Sequence, residues 1–341
     1  MPLPRLNGVA DPEGSPDYDR LFAGGLVTFI LGVGFDENGA NRSQDQRLLD
    51  GFRERGFIHD DHEARLLLRR AGRPEPRAEG PHYLAHAVTR DSAGRSVNAV
   101  FTLALAGDGS QGAETASNFL DGLHRCDVAG YGGHARYGTG PDFDYNFTAD
   151  LVDERGEVVG SFANYKDLIE EITERGRAAG RSAHAEYRRL LDGGALVIHR
   201  VNDGNLVINL RNYHSGELGS YLMIDQLGKD PALRKLSSER FAERYRLWLL
   251  SGCRTHDYFY NLQTLNPSAQ KGGLDLFGSR RLLYWSRTAP TLLALVDAVL
   301  ARSTRRGILE ALIAQNPPRE DATGESHVAL PWAGGGGEGY A

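Results

Sequence analysis

Hydrophobic and polar residues along the chain follow two patterns, one typical of buried strands and one typical of amphipathic helices. Residues 26–34 form a continuous apolar run rich in β-branched and aromatic side chains, which predicts a strand buried on both faces. Apolar residues then recur at helical spacing over residues 43–55, where Ser43 is a candidate N-cap. The chain is therefore expected to open with a strand followed by a helix.

The same alternation of strands and helices extends over most of the chain. Strands are predicted at residues 64–70, 82–89, 96–106, 127–131, 246–250 and 281–285, and helices at residues 113–123, 238–245 and 290–301. The second and third of these strands flank a turn and are expected to form a hairpin. This order predicts an α/β fold, in which a mostly parallel sheet of about six strands is flanked by helices.

Residues 147–210 interrupt this pattern. Two hairpin signals, at residues 153–156 and 202–204, lie on either side of a long helix predicted over residues 166–191. Gly176 and Gly180 mark positions where this helix can break. We therefore expect a hairpin–helix–hairpin insertion within a domain that spans residues 21–316. A polar, proline-rich segment precedes this domain (residues 1–20) and a disordered, glycine-rich tail follows it (residues 317–341).

The charge of the chain limits its partners. Its 39 basic and 45 acidic residues give a net charge of −6, whereas nucleic acids and anionic membranes attract basic surfaces. No apolar stretch is long enough to span a bilayer, and residues 1–20 lack the apolar core of a signal peptide. We therefore expect a cytoplasmic protein that binds neither nucleic acid nor membrane.

The sequence predicts neither a metal site nor a cofactor site. The two cysteines, Cys126 and Cys253, are too few for a structural zinc site without histidines. His59 and His62 lie in an acidic segment, but an exposed loop explains them at least as well and no third ligand is obvious. The glycines that follow the first strand lack the spacing of a nucleotide-binding loop.

Two of the predicted strands end in small residues followed by a reactive side chain. Residues 128–131 lead to Gly132-Gly133-His134, and residues 247–250 lead to Ser251-Gly252-Cys253. Because the carboxyl ends of parallel strands share one edge of the sheet, the two side chains can meet there. A thiol needs a base to become a strong nucleophile at neutral pH, and an imidazole can take its proton and later return it to the leaving amine.

A strand ending in Gly-His, followed downstream by a strand ending in Gly-Cys, resembles the caspase-like cysteine peptidases of the caspase–hemoglobinase fold. The resemblance is greatest to the gingipain and CHAT type, in which Gly-Cys-x-Thr follows the strand as residues 252–255 do here. It implies hydrolysis of peptide bonds with Cys253 as nucleophile and His134 as general base and acid. It also implies that the backbone N–H groups of Cys253 and Ala135 bind the oxyanion. The family usually has glycine at the position of Ala135, and the Cys–His spacing here is longer than in caspases, which we assign to the insertion.

In the family that the chain resembles, one deep pocket selects the residue before the cut. The candidates for lining this pocket are Asp142, Asp144, Asp257, Trp285 and Ser286. An acid at the pocket floor would select arginine or lysine, whereas arginines such as Arg136 or Arg254 would select aspartate. The pattern Gly138-x-Gly140-Pro141 is typical of a rigid turn, which is expected to direct Asp142 and Asp144 toward the site. We therefore expect a preference for a basic residue before the cut.

Two other functions stay open at this point. The chain could be a catalytically silent caspase-like module that binds a partner or acts as a scaffold, or it could be another α/β hydrolase or transferase that uses Cys253 on a small acyl substrate. The presence of both Cys253 and His134 favours the peptidase, with a protein or peptide as substrate and a regulatory protein as a further partner. His256 is an alternative base, and Cys126 is interpreted as a packing residue.

Overall fold

A computed structural model of the protein describes residues 14–35, 41–76, 83–90, 94–107, 109–135, 140–144, 147–163, 165–201, 244–253, 255, 273–279, 283–316, 319–320 and 326–327. The strands are β1 (Leu26–Val33), β2 (Ile58–His59), β3 (Tyr83–Arg90), β4 (Ser96–Leu105), β5 (Val128–Gly132), β6 (Phe147–Val152), β7 (Val158–Phe162), β8 (Leu196–Val201), β9 (Arg246–Ser251), β10 (Leu274–Gly278), β11 (Arg319–Glu320) and β12 (Ser326–His327). The helices are α1 (Tyr18–Leu21), α2 (Asn41–Glu54), α3 (Asp61–Arg70), α4 (Gly112–Arg125), α5 (Tyr165–Ala178), α6 (Ala183–Asp192), α7 (Thr288–Leu300) and α8 (Arg305–Gln315).

A seven-stranded sheet with the order β10-β9-β5-β1-β4-β3-β2 forms the centre of the fold. The pairs from β10 to β4 are parallel, whereas β3 pairs antiparallel with β4 and β2 pairs antiparallel with β3. All eight residues of β1 are buried, as its continuous apolar run predicts. The predicted α/β fold with a mostly parallel sheet is confirmed.

Helices cover both faces of this sheet. Alternate residues of β1, such as Phe29 and Leu31, pack in a core with α2, α7 and α8. The intervening residue Ile30 packs on the other face in a core that contains Phe119 of α4 and Trp248 of β9. The fold is therefore a three-layer arrangement, and the carboxyl ends of the parallel strands lie together at one edge of the sheet.

The insertion forms a small unit with its own core. β6 lies between β7 and β8 in an antiparallel sheet, and α5 and α6 pack against it. The buried core residues are Phe147, Ala149, Leu151, Leu168, Ile172, Tyr187, Leu190 and Leu196. The predicted long helix is broken into α5 and α6 near Gly180, whose φ of +67° is in the left-handed region that glycine tolerates.

Several predicted elements were wrong. Residues 64–70 belong to helix α3 and not to a strand, because the side chain of Asp60 caps the helix by accepting the Glu63 N–H at 2.9 Å. Leu283 and Tyr284, predicted as part of a strand, precede a short 3₁₀ turn at Trp285–Arg287. The edge strand of the sheet is instead β10, which the sequence reasoning missed together with α8.

Other predictions fall partly outside the described residues. The predicted hairpin turn at residues 202–204, the rest of the insertion up to residue 210, and the predicted helix at 238–245 except for residues 244 and 245 lie there. Within the predicted disordered tail, β11 and β12 form an antiparallel pair. In the part of the chain that the structure describes, the helices are all too short or too polar to cross a membrane.

Candidate active site

The strands β5 and β9 bring the loops of His134 and Cys253 together. The two strands are adjacent and parallel, and Gly132 at the end of β5 is paired with Ser251 at the end of β9. Just past this pair, the Gly133 N–H donates to the carbonyl oxygen of Ser251 at 3.0 Å. His134 and Cys253 therefore leave the same edge of the sheet, one residue beyond Gly133 and two residues beyond Ser251, respectively.

Gly252 lets the two loops touch. A Cβ atom built at Gly252 would lie 2.7 Å from the carbonyl oxygen of Gly133 and 3.4 Å from the backbone nitrogen of Ala135. The first distance is shorter than real Cβ contacts, so a side chain at this position would push the loops apart. A glycine is thus required immediately before Cys253 for steric reasons.

A cavity of about 140 Å³ lies at this edge of the sheet, and both predicted catalytic residues line it. Its other walls come from the ends of β5 and β9, from the segment before α7 and from the end of α8. The lining residues are Gly133, His134, Ser251, Cys253, Leu283, Tyr284, Trp285, Arg287, Thr288 and Asn316. The volume accommodates a side chain or a small acyl group, and Trp285 is 48 % exposed at its rim.

The Cys253 thiol is partly buried beside Leu283. The Leu283 N–H donates to Sγ at 3.4 Å, and the carbonyl oxygen of Leu283 lies 4.0 Å from Sγ. Burial raises the pKa of the Cys253 thiol above its usual range, although the N–H groups of Leu283 and of Cys253 itself offset part of this effect. The thiol is therefore neutral at physiological pH in this state and needs a base to become a nucleophile.

The side chain of Tyr131 fixes the backbone of the loop that carries His134. The ring of Tyr131 is buried in β5, and its hydroxyl lies 3.0 Å from the carbonyl oxygen of His134. The same hydroxyl accepts the Asp142 N–H at 3.0 Å and lies 3.2 Å from the carbonyl oxygen of Asp142. Tyr131 thus fixes the backbone of His134 against the next segment of chain. Sequence reasoning missed this role, for which the only signal was a tyrosine three residues before the histidine.

Ala135, the predicted second oxyanion donor, is buried directly after His134. Its carbonyl oxygen accepts the Gly140 N–H at 2.9 Å, and its nitrogen faces the position of a Cβ atom at Gly252. The Ala135 nitrogen therefore lies where this loop borders the segment that follows β9. This location is compatible with the predicted oxyanion role.

The acidic candidates for the specificity pocket lie elsewhere. Asp142 and Asp144 are fully buried and do not line the cavity. Asp144 packs against Gly112 at the start of α4, where a Cβ atom would collide with it. Asp144 therefore belongs to the contact with α4, and Asp142 belongs to the contact with Phe35, whose N–H donates to the Asp142 carbonyl oxygen at 3.1 Å. The structure gives no support to the basic preference that was based on these aspartates.

Of the remaining candidates, one lines the cavity, one lies next to it without lining it, and the others lie outside the described residues. Trp285 lines the cavity, whereas Ser286 does not, and the carbonyl oxygen of Ser286 accepts a hydrogen bond from Arg47 of α2 at 3.4 Å. Asp257, Arg254, Arg136 and His256 lie outside the described residues. Arg287, which the sequence places beside the candidates Trp285 and Ser286, also lines the cavity, and the lining residues that sequence reasoning missed are Leu283, Tyr284, Thr288 and Asn316.

The other reactive residues have structural surroundings. Cys126 is buried between α4 and β5, and burial raises the pKa of its thiol. His59 and His62 are exposed on the surface, and the described residues contain no cluster of three or more side chains that could hold a metal ion. These residues therefore add nothing to the chemistry of the cavity.

Comparison of the chain with protein-family models, with curated proteins and with solved structures found no match. The case for this site therefore depends on the residues and the geometry described above.

Proposed function

We propose that the protein is a cysteine peptidase in which Cys253 is the nucleophile and His134 is the general base and acid. The observation that carries this proposal is that Cys253 and His134 line one cavity at the carboxyl ends of two adjacent parallel strands. Ligands bind at this edge in open α/β sheets. The raised pKa of the thiol makes a base necessary, and an imidazole that lines the same cavity suits that role.

The chemistry follows in two steps. His134 takes the proton from Cys253 as Sγ attacks the carbonyl carbon of the substrate, and the N–H groups of Cys253 and Ala135 donate to the oxyanion that forms. His134 then gives the proton to the leaving amine as the C–N bond breaks, which leaves a thioester on Sγ. In the second step His134 takes a proton from water, the water oxygen attacks the thioester, and the released sulfur regains the proton.

The charge of the cavity bears on the substrate. Arg287 lines it, whereas the described lining residues include no aspartate or glutamate. A guanidinium group binds a carboxylate of the substrate and repels a basic side chain. Tyr284 and Trp285 add partly exposed aromatic surface. We therefore favour an acidic or aromatic substrate side chain here over the basic residue expected from the sequence.

Labelling with a reactive probe tests the proposal. An acyloxymethyl-ketone peptide should label wild-type protein at Cys253, and the Cys253→Ala variant should remain unlabelled. His134→Ala keeps the thiol but loses the base, so its labelling and its hydrolysis of fluorogenic peptides should fall by at least about 100-fold. Cys126→Ala, which removes the other, buried thiol, is the matched control and should label like the wild type.

Two results would contradict the proposal. Equal labelling of the wild type and Cys253→Ala would show that the probe does not react with Cys253. A catalytically silent caspase-like binding module would then be the better hypothesis. Normal turnover in His134→Ala would reject His134 as the base. A panel of peptides that differ only before the cut tests the charge preference, and cleavage after arginine or lysine alone would reject the inferred role of Arg287.

A further inference from the structure

One wall of the cavity beside Cys253 is polar but uncharged. It is made by Ser251 at the end of β9, Thr288 at the start of α7 and Asn316 directly after α8. Their exposed fractions are 7 %, 6 % and 5 %, so each residue is almost fully buried and the cavity is the space that it lines. We call these three residues the polar wall.

The three residues of the polar wall lie next to one another. Ser251 is paired with Gly132 of the neighbouring strand β5, so both positions face the same side of the sheet. A Cβ atom at Gly132 would lie 2.5 Å from Cγ2 of Thr288, which places Thr288 on that side. Asn316 meets the next turn of α7, where its Nδ2 donates to Thr291 Oγ1 at 2.8 Å. The polar wall therefore extends from β9 over the first turn of α7 to the end of α8.

The side-chain amide of Asn316 has a defined orientation. Its Nδ2 also donates to the carbonyl oxygen of Leu312 at 3.3 Å. A carbonyl oxygen only accepts hydrogen bonds, so the amide nitrogen and not the amide oxygen must face Leu312. Oδ1 accepts no hydrogen bond from the described residues. Asn316 therefore presents an acceptor that is fixed in place and has no donor.

The hydroxyl groups of Ser251 and Thr288 are in the same situation. Within the described residues both make hydrogen bonds through their backbones, Ser251 to Gly133 and Thr288 to Trp285, but none through their hydroxyls. Neither these hydroxyls nor Asn316 Oδ1 belong to the unpartnered atoms that are sealed from solvent. Buried polar groups normally have a hydrogen-bond partner. A polar group that enters the cavity supplies the partner here.

The chemistry of the polar wall discriminates between entering side chains. An acidic or basic group at this wall loses its hydration without meeting an opposite charge, because Arg287 is exposed at the rim. A carboxylate also has no hydrogen to donate to Asn316 Oδ1, and an apolar side chain leaves all three groups unpaired. A carboxamide carries two N–H donors and an acceptor oxygen on one uncharged group, which matches an acceptor flanked by two hydroxyls.

We propose that the polar wall selects a carboxamide side chain, as in glutamine or asparagine, at the residue before the cut. An N–H of the carboxamide donates to Asn316 Oδ1, and the hydroxyls of Ser251 and Thr288 pair with its remaining N–H and its oxygen. This proposal rests on the proposed peptidase function. It refines the preference that charge alone favours, because the Arg287 guanidinium also donates to the uncharged oxygen of a carboxamide.

Fluorogenic peptides that differ only before the cut test the selectivity. Glutamine is compared with glutamate, which has the same shape but no N–H, and with leucine, which has no polar atom. The kcat/KM for the glutamine peptide should exceed that for each of the other two at least about tenfold. Binding of the same peptides to Cys253→Ala, which cannot cleave them, should follow the same order in calorimetric titrations.

Variants assign the selectivity to the polar wall. Thr288→Val and Ser251→Ala each remove one hydroxyl, and each should lower kcat/KM for the glutamine peptide at least about fivefold while the leucine peptide changes less than about twofold. Asn316→Ala should abolish the difference between glutamine and glutamate. Its Tm reports the cost of the lost contact with Thr291, and the two hydroxyl variants test the polar wall even if Asn316→Ala does not fold.

Thr115→Val is the matched control for Thr288→Val. Thr115 is fully buried in α4 and its hydroxyl has no partner among the described residues, but it does not line the cavity. This variant loses the same hydroxyl group from a buried threonine, so it reports any general effect of the substitution on the fold. Its selectivity among the three peptides should equal that of the wild type.

The outcomes separate this proposal from the proposed function. Equal cleavage of the three peptides, or fastest cleavage of the glutamate peptide, would keep the peptidase and overturn the role of the polar wall. So would unchanged selectivity in Thr288→Val, Ser251→Ala and Asn316→Ala. Glutamine-selective binding to Cys253→Ala without hydrolysis by the wild type would support the polar wall and reject the peptidase. Neither binding nor cleavage of any of the peptides would overturn both.

Discussion

Gly252 and Gly133 meet through their backbones, because a Cβ atom at Gly252 would lie 2.7 Å from the carbonyl oxygen of Gly133. Gly252 directly precedes Cys253, and Gly133 directly precedes His134. The two loops are thus in van der Waals contact one residue before each predicted catalytic side chain. The spacing of these side chains therefore depends on a position that can hold no side chain.

Gly252→Ala tests this dependence. The added methyl group must displace backbone, so we expect a loss of about 1–3 kcal/mol in the free energy of unfolding. Labelling of Cys253 should fall more than this loss explains, since the shift occurs at the loops themselves. Urea unfolding and labelling rates measure the two effects on the same sample.

Gly160→Ala is the matched control for this substitution. A Cβ atom at Gly160 in β7 would have its nearest contact at 3.4 Å, an ordinary distance. Its labelling rate should equal that of the wild type. Normal labelling of Gly252→Ala would contradict the inferred role of the close approach.

Alkylation of Cys253 should rise with pH beyond the range of an ordinary thiol. Burial raises the pKa of Cys253, so the thiolate fraction is small at neutral pH and still increases above the usual thiol pKa of about 8.5. Rates of iodoacetamide labelling between pH 6 and 10, measured in a Cys126→Ala background, check this. A rate that levels off below neutral pH would indicate a stable thiolate–imidazolium pair and contradict the prediction.

Asp45 on α2 should make the protein less stable as the pH rises. Burial raises the pKa of its carboxyl to about 7, and the Gly107 N–H that it accepts offsets only part of this. The unfolded chain releases this proton near pH 4, whereas the folded chain retains it until about pH 7. The free energy of unfolding therefore falls between these pH values, because the unfolded state binds fewer protons there.

Asp45→Asn should abolish this component. Between pH 5 and 8 the wild type should lose on the order of 2–3 kcal/mol more than the variant, as measured by urea unfolding at each pH. Asp50→Asn, at an exposed site on the same helix, serves as the control and should keep the wild-type slope. Parallel pH profiles for the wild type and Asp45→Asn would contradict the prediction.

The insertion should be able to unfold while the main sheet stays folded. Ile172 is fully buried in the core shared by α5, α6 and β6–β8, so Ile172→Ala should cost about 2–5 kcal/mol. Hydrogen exchange should accelerate over residues 147–201, while β1, β5 and β9 keep their protection. Labelling of Cys253 should not change.

A matched variant in the other core makes this prediction specific. Ile308 of α8 is equally buried, but it belongs to the core of the main domain, which also contains residues of β1, α2 and α7. Ile308→Ala should therefore accelerate exchange in the main sheet and not selectively in residues 147–201. Equal acceleration throughout the chain in Ile172→Ala would show that the insertion and the sheet unfold as one unit.

The strands β1, β5 and β9 could be predicted because each is a buried apolar run with an unambiguous local pattern. The edge strand β10 could not, because Asp275 interrupts its apolar residues. Asp275 is buried there only because it accepts hydrogen bonds from Tyr245 and Arg305, at 2.5 and 2.8 Å. Those partners are about 30 residues away in the sequence, so no local pattern contains them.

The error at residues 64–70 has a local cause. Three consecutive leucines look like a strand, but leucine and arginine are good helix formers and Asp60 supplies the cap. Only Ala64 and Leu68, four residues apart on one helix face, are buried. The capping residue Asp60 therefore indicates the helix more reliably than the three leucines indicate a strand.

The site was predictable only where it follows strands. Cys253 and His134 come directly after buried strands, and their shared edge of the sheet follows from topology. The orientation of Asp142 does not follow from topology. The hydroxyl of Tyr131 fixes the Asp142 backbone, and the Asp142 side chain is buried outside the cavity. The wall that contains Arg287 also depends on α2, whose Gln44 accepts the Ala289 N–H at 3.3 Å.

The neighbouring strands β5 and β9 are separated by about 110 residues of chain, which has a consequence for biogenesis. During synthesis β5 is complete long before β9 leaves the ribosome, so its free edge must wait for a distant partner. The cavity cannot exist in that interval, because β9 forms one of its walls. A nascent chain therefore carries His134 early, but Cys253 joins it at the proposed site only when β9 has paired with β5, so the proposed thiol chemistry requires a closed sheet.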